Sequence, residues 1–164
     1  MTFDKPVSAS FIGEFGQRWS AAWNSHNTDQ VLALLHDDIE WDDTVFWPDV
    51  IVGIGGMRPY VDMVFRVMPD VHFEEIQLFT AEADGRALWL FRQSGSAPAK
   101  FGDGKSFSSM GCDIFLGFTD GKLSRYLAQY EITDMMRQYG ALPAREGRIG
   151  GSYLLSLLGA GATT

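Results

Sequence analysis

Residues 105–132, KSFSSMGCDIFLGFTDGKLSRYLAQYEI, decide the fold class. They read as two strands, roughly 105–118 and 122–132, joined by a turn at Thr119-Asp120-Gly121. Upstream, Gly102-Asp103-Gly104 turns the chain into this pair. Arg86 to Ser96 reads as a strand bounded by the Asp84-Gly85 turn, and Val71 to Thr80 as another before it. Consecutive strands with tight turns between them make an antiparallel meander.

What precedes the meander is mostly helical. Phe11, Phe15, Trp19 and Trp23 recur every four residues, one face of an amphipathic helix that Asn24 to Asn27 break. Asn27 or Thr28 can cap a second short helix with Val31, Leu34 and Leu35 as its buried stripe. Ile39-Glu-Trp-Asp-Asp-Thr then alternates as a short strand does, which puts residues 39, 41 and 43 on one face. After Gly53, Gly55 and Gly56 a third helix carries Met57, Tyr60, Val61, Val64, Phe65 and Met68 at helical spacing. Pro59 suits its first turn, and Pro69-Asp70 closes it. A last short helix stops at Gly140, with Pro143 beyond. Helices first and a meander after predict an α+β domain rather than a parallel sheet.

The domain is expected over residues 8–142, with 143–164 as a C-terminal extension. Arg145, Arg148 and Gly150-Gly151 read as a linker. Ser152 to Gly161 is an apolar run too short to cross a membrane. It can pack on the domain surface, join a dimer partner or form a lid.

Composition narrows the function. The 164 residues are 46% hydrophobic and 21% charged, an ordinary globular balance. A net charge of −8 without a Lys/Arg cluster argues against nucleic acid and against an anionic membrane surface. The single cysteine, Cys112, fits a reducing compartment, and Met1 to Pro6 lack a signal pattern, so a cytoplasmic location is expected. His26, His36 and His72 share no metal-ligand spacing. Gly-Ile-Gly-Gly at 53–56 is neither a dinucleotide nor a P-loop pattern. No metal and no cofactor are expected.

Several stretches resemble the nuclear transport factor 2-like superfamily, which includes ketosteroid isomerases and SnoaL-like polyketide cyclases. They are Gln17-Arg-Trp-Ser-Ala-Ala-Trp-Asn-Ser-His-Asn, Leu32-Ala-Leu-Leu-His-Asp-Asp-Ile-Glu-Trp-Asp-Asp, Asp113-Ile-Phe with Asp120-Gly121-Lys122-Leu123, and Gln138-Tyr-Gly. The resemblance implies a cone-shaped curved antiparallel sheet packed against three N-terminal helices, a cystatin-like or ketosteroid-isomerase-like fold. It also implies a homodimer and an apolar small-molecule ligand. By the isomerase pattern Asp43 falls at the general base. Asp113 falls at the neutral oxyanion Asp, and Trp19 stands where a Tyr donor would be. An indole N–H can donate a hydrogen bond but cannot release a proton near neutral pH. By the cyclase pattern Ala128 stands where the catalytic Asp would be, and Glu131 matches only the second acidic position.

The residues themselves carry the same candidates. Asp43 shares a face with Ile39 and Trp41, where burial would raise its pKa toward that of a base working near pH 7, although Asp42-Asp43 can also simply start a polar turn. Asp113 lies between Cys112 and Ile114 in an apolar strand, as a protonated acid, a backbone-bonded Asp or a strand-edge Asp. Trp23, Trp41, Phe46, Trp47, Tyr60, Met63, Trp89, Met110 and Tyr130 are candidate pocket walls, each at least as open to a core role, and Trp19 and Trp23 at helical spacing are more often core than site. The leading expectation is a cofactor-independent isomerase, lyase or cyclase with Asp43 as base and Trp19 and Asp113 as oxyanion donors. The alternative is a non-catalytic small-molecule-binding or protein-binding dimer.

Overall fold

The computed structural model describes residues 7–101 and 104–143. The turn through Gly102-Asp103 and the C-terminal extension beyond Pro143 lie outside the described residues. Helix α1 spans Ala9–Asn24, and the Ser8 hydroxyl caps it by accepting from Phe11 N. It buries Ile12, Phe15, Trp19, Ala22 and Trp23 against the sheet. Asn27, rather than Thr28, caps α2, Thr28–Leu32, through bonds from Asp29 N and Gln30 N.

The second helix is shorter than its apolar stripe suggests. Leu35 is already in β1, Leu35–Asp42, so His36 lies in a strand and not at a helix end. Leu35 faces the core from β1 because the strand pairs in parallel with β6, Lys122–Tyr130, starting at Leu35 and Leu123. A register shift between Leu35 and Glu40 lets β1 bend before it reaches the site. The brief strand β2, Ile51–Val52, borders β1 on its other side.

Helix α3 covers Ile54–Val67 and starts at Gly53, whose φ of 84° only glycine adopts freely. Pro59 therefore sits in the second turn rather than the first. The meander follows as β3 (His72–Ala81), β4 (Arg86–Ser96), β5 (Ser106–Thr119) and β6. Asp120 and Gly121 both have positive φ, 51° and 76°, the type I′ geometry that closes the β5–β6 hairpin. Helix α4, Ile132–Gln138, ends the described chain.

The sheet order is β2-β1-β6-β5-β4-β3, antiparallel except at β1–β6. The architecture is thus the expected α+β one, a curved six-stranded sheet wrapped against α1–α3. Asn24 ties α1 to β3 by bonding both Phe73 N and Phe73 O at 2.8 Å. Odd-numbered residues of β5 from Phe107 to Phe115 face the core, and the even ones face out. Gly111 belongs to the inner row. A Cβ there would lie 2.7 Å from both Phe91 Cζ and Tyr130 Cβ, so its lack of a side chain lets those two rings close over the strand. Among the described residues no helix is long and apolar enough to cross a membrane.

Candidate active site

Asp42 and Asp43 separate at the end of β1. Asp42 points outward, where its Oδ1 accepts from Thr44 N and Thr44 Oγ1 and makes the polar turn. Asp43, on the Ile39–Trp41 face, turns inward and is only 2% exposed. The turn is closed by Phe46 N and Trp47 N, both donating to Asp43 O. Two hydroxyls hold the carboxylate. Tyr60 from α3 donates to Oδ2, and Tyr130 from the end of β6 donates to Oδ1 at 2.8 Å.

Asp113, on the inner row of β5, is 6% exposed. Trp19 Nε1 donates to its Oδ2 at 2.7 Å and the Tyr126 hydroxyl to its Oδ1 at 2.5 Å. Tyr126 is itself fixed by stacking on Trp41, with ring centroids 3.6 Å apart. Ala128 pairs with Asp113 across the hairpin and is fully buried, so no carboxyl stands at that position.

Burial moves both acids. Loss of solvent pushes Asp43 up from 3.8 to about 6; the Tyr60 and Tyr130 hydrogen bonds pull it back and the Asp42 charge adds to the rise. Loss of solvent likewise pushes Asp113 up to about 7, with Tyr126 and Trp19 opposing and the Asp43 charge assisting. Burial, reinforced by the neighbouring carboxylates, also holds Tyr60 and Tyr126 well above the ordinary phenol value, so both remain donors.

Both carboxyls line one narrow cavity, with about 50 Å³ open to the centres of water-sized molecules. Of the wall residues expected from sequence, Trp23, Trp41, Phe46, Tyr60, Trp89 and Tyr130 line it. Trp47, Met63 and Met110 do not. Trp47 packs edge-on behind Tyr60, and Met63 lies at the margin of the buried stripe of α3. Met110 is three residues from Asp113 and so faces the opposite side of β5. Trp19 lies behind the wall. It is fully buried, does not line the cavity, and spends its N–H on Asp113.

Tyr126, Phe91 and Gln93 were not among the sequence candidates, yet all three line the cavity. Strand periodicity carried the signal: Tyr126 shares a face with Tyr130, and Phe91 and Gln93 with Trp89. Phe73, Val64, Met68 and Met135 complete the wall, brought in from β3, α3, the end of α3 and α4.

This arrangement has known relatives. The model of the SnoaL-like domain matches residues 17–126, and the chain belongs to that family. Among solved structures it is similar to TsrD from Streptomyces laurentii, at 23% identity and a TM-score of 0.68, covering 83% of this chain and 99% of that one. It is also similar to a hypothetical protein of ketosteroid isomerase-like fold from Catenulispora acidiphila, at 13% identity and a TM-score of 0.66, covering 82% and 95%. A putative polyketide cyclase from Xanthomonas campestris pv. campestris matches at 17% identity and a TM-score of 0.65, covering 79% and 97%. These likenesses establish the fold. No curated protein matches the sequence. The family and these neighbours mark a fold of the small-molecule-enzyme type.

Proposed function

We propose that this protein is a cofactor-independent enzyme that moves a proton on an apolar, ring-containing small molecule, with Asp43 as general base. The observation that carries the reading is the pairing of two buried carboxyls, Asp43 and Asp113, on one aromatic cavity wall. Burial raises both, Asp43 to about 6 and Asp113 to about 7. Both are held well above the ordinary carboxylate range, so near neutral pH one of the two acids can be ionised while the other keeps its proton. An ionised Asp43 can remove a proton from a carbon beside a carbonyl, and a protonated Asp113 can donate to the oxygen where the negative charge develops. The Tyr60 and Tyr130 hydroxyls keep Asp43 in place and temper its basicity. Trp19 and Tyr126 orient Asp113. Isomerisation, elimination, retro-aldol cleavage and cyclisation all use this proton chemistry.

A homodimer belongs to the same proposal. Ile76 and Phe79 on the edge strand β3 are 42% and 53% exposed, apolar surface that a second copy can cover.

The test uses 2-tetralone, a bicyclic ketone with acidic C–H bonds beside its carbonyl. Hydrogen–deuterium exchange at that carbon is followed by NMR in heavy water. The protein should accelerate exchange. Asp43→Asn should abolish the acceleration while tetralone still quenches the cavity tryptophans. Exchange in the variant at the wild-type rate would remove Asp43 from the base role. Binding without exchange in the wild type would favour a non-catalytic carrier.

A further inference from the structure

The cavity wall carries an amide side chain, Gln93, that the proton chemistry leaves unused. Apart from the carboxyls, the tyrosine hydroxyls and the indoles, Gln93 is the single polar residue among the described wall residues. It is 4% exposed. Trp89, Phe91 and Gln93 form the inward row of β4, and the register pairs Trp89 with Asp113 and Gln93 with Ser109. Gln93 therefore stands four residues along the strand from Asp113, about 13 Å at the usual strand rise. Asp113 stands at one end of this row and the amide at the other, with Phe91 between them.

The amide is held in a defined orientation. Its Nε2 donates to Ser109 Oγ at 3.2 Å and to Met135 Sδ at 3.3 Å. A thioether sulfur only accepts, which assigns the nitrogen to that side. No donor among the described residues reaches Oε1. A buried amide is costly where an alkyl side chain would fill the same space, unless its polar atoms are used. Here one half of the amide is anchored to the protein and the other half is left as an acceptor.

We infer that Gln93 is a specificity-determining residue whose Oε1 accepts a hydrogen bond from a hydroxyl or N–H at the end of the ligand remote from the oxygen that meets Asp113. The ligand class is then an elongated, ring-containing molecule with an enolisable carbonyl at one end and a donor at the other. The rings between them lie along Trp89, Phe91 and Phe73. This rests on the proposed small-molecule reading of the cavity, which it deepens.

Two probes separate the inference from that reading. 4-Phenylphenol and 4,4′-dihydroxybiphenyl differ only in a second hydroxyl at the far end of a rigid apolar body. Their affinities are measured by quenching of tryptophan fluorescence, with circular dichroism as the control for folding. The wild type should prefer the dihydroxy compound by about 3- to 10-fold, the usual worth of one neutral hydrogen bond. Gln93→Met should reduce that preference to less than about 2-fold by weakening the dihydroxy compound. Gln93→Glu keeps an acceptor at the position and should retain the preference. Equal wild-type affinities, or a preference that survives in Gln93→Met, overturn the role of Gln93 while leaving the cavity reading intact. Failure of both phenols to bind the wild type overturns the cavity reading and this inference with it.

Discussion

Replacing Asp113 by Asn should make the protein more stable, and increasingly so as pH rises. Burial holds Asp113 at about 7 and Asp43 at about 6, against an ordinary value of 3.8 for both. Between about pH 4 and pH 7 the folded chain therefore keeps protons that the unfolded chain has released. Under that inequality stability falls as pH rises. The cost is absent below about pH 4, where both states are protonated, and complete above about pH 7, where both are ionised. At about 1.4 kcal/mol per tenfold change, holding Asp113 at about 7 costs on the order of 4 kcal/mol at alkaline pH, and holding Asp43 at about 6 on the order of 3 kcal/mol. Asparagine has nearly the same shape and carries no charge. Its oxygen can still accept from Trp19, and its amide can donate to the Tyr126 oxygen. Urea unfolding of both proteins, from about pH 4.5 to about pH 8.5, reads the effect as a difference in unfolding free energy. That difference should grow by a few kcal/mol in favour of Asp113→Asn across the range. Taking the difference cancels the exposed Asp70, whose carboxyl is held low by Ser96 and acts in the opposite direction. A difference that stays flat refutes the buried-charge account. A wild type that gains on the variant as pH rises shows instead that Trp19 and Tyr126 stabilise Asp113 as an anion.

The other predictions concern activity, packing and assembly. The exchange rate on 2-tetralone should be bell-shaped in pH, rising as Asp43 ionises near 6 and falling as Asp113 loses its proton near 7; a rate still climbing well above the Asp113 value would exclude a protonated Asp113 from the step. Tyr130→Phe removes a bond that favours ionised Asp43, so the acid limb of that profile should move to higher pH. Gly111→Ala should lower stability by about 1–3 kcal/mol in urea unfolding, because the added methyl must displace Phe91 and the Tyr130 backbone attachment. Charged substitution at Phe79 should convert a dimer to a monomer in sedimentation, whereas a wild type that sediments as a monomer removes the dimer from the proposal.

Local patterns marked most of the elements. Chain-local rules, helical spacing in α1 and α3 and turn residues such as Asp120-Gly121, act within a few residues and could be read directly. They located β4 from Arg86 to Ser96 without error. They failed at Leu34-Leu35, where an apolar pair suits either a helix stripe or a strand. Pairing with Leu123, distant in the chain, decided for the strand.

The site divided in the same way. Strand alternation alone determined that Asp43 faces with Ile39 and Trp41, and an acid within an apolar strand singled out Asp113. Applied to β4 and β6, the same alternation also held Gln93 and Tyr126, and it excluded Met110. What only the tertiary structure decided is which groups meet these acids. Tyr60 reaches Asp43 from a helix and Tyr130 from the end of the neighbouring strand β6, while Trp19 is turned away from the cavity to hold Asp113. Hydrogen bonds span a few ångströms in space but here 17 to 94 residues in the chain. Their partners depend on how the sheet curls round the helices, which no local pattern contains.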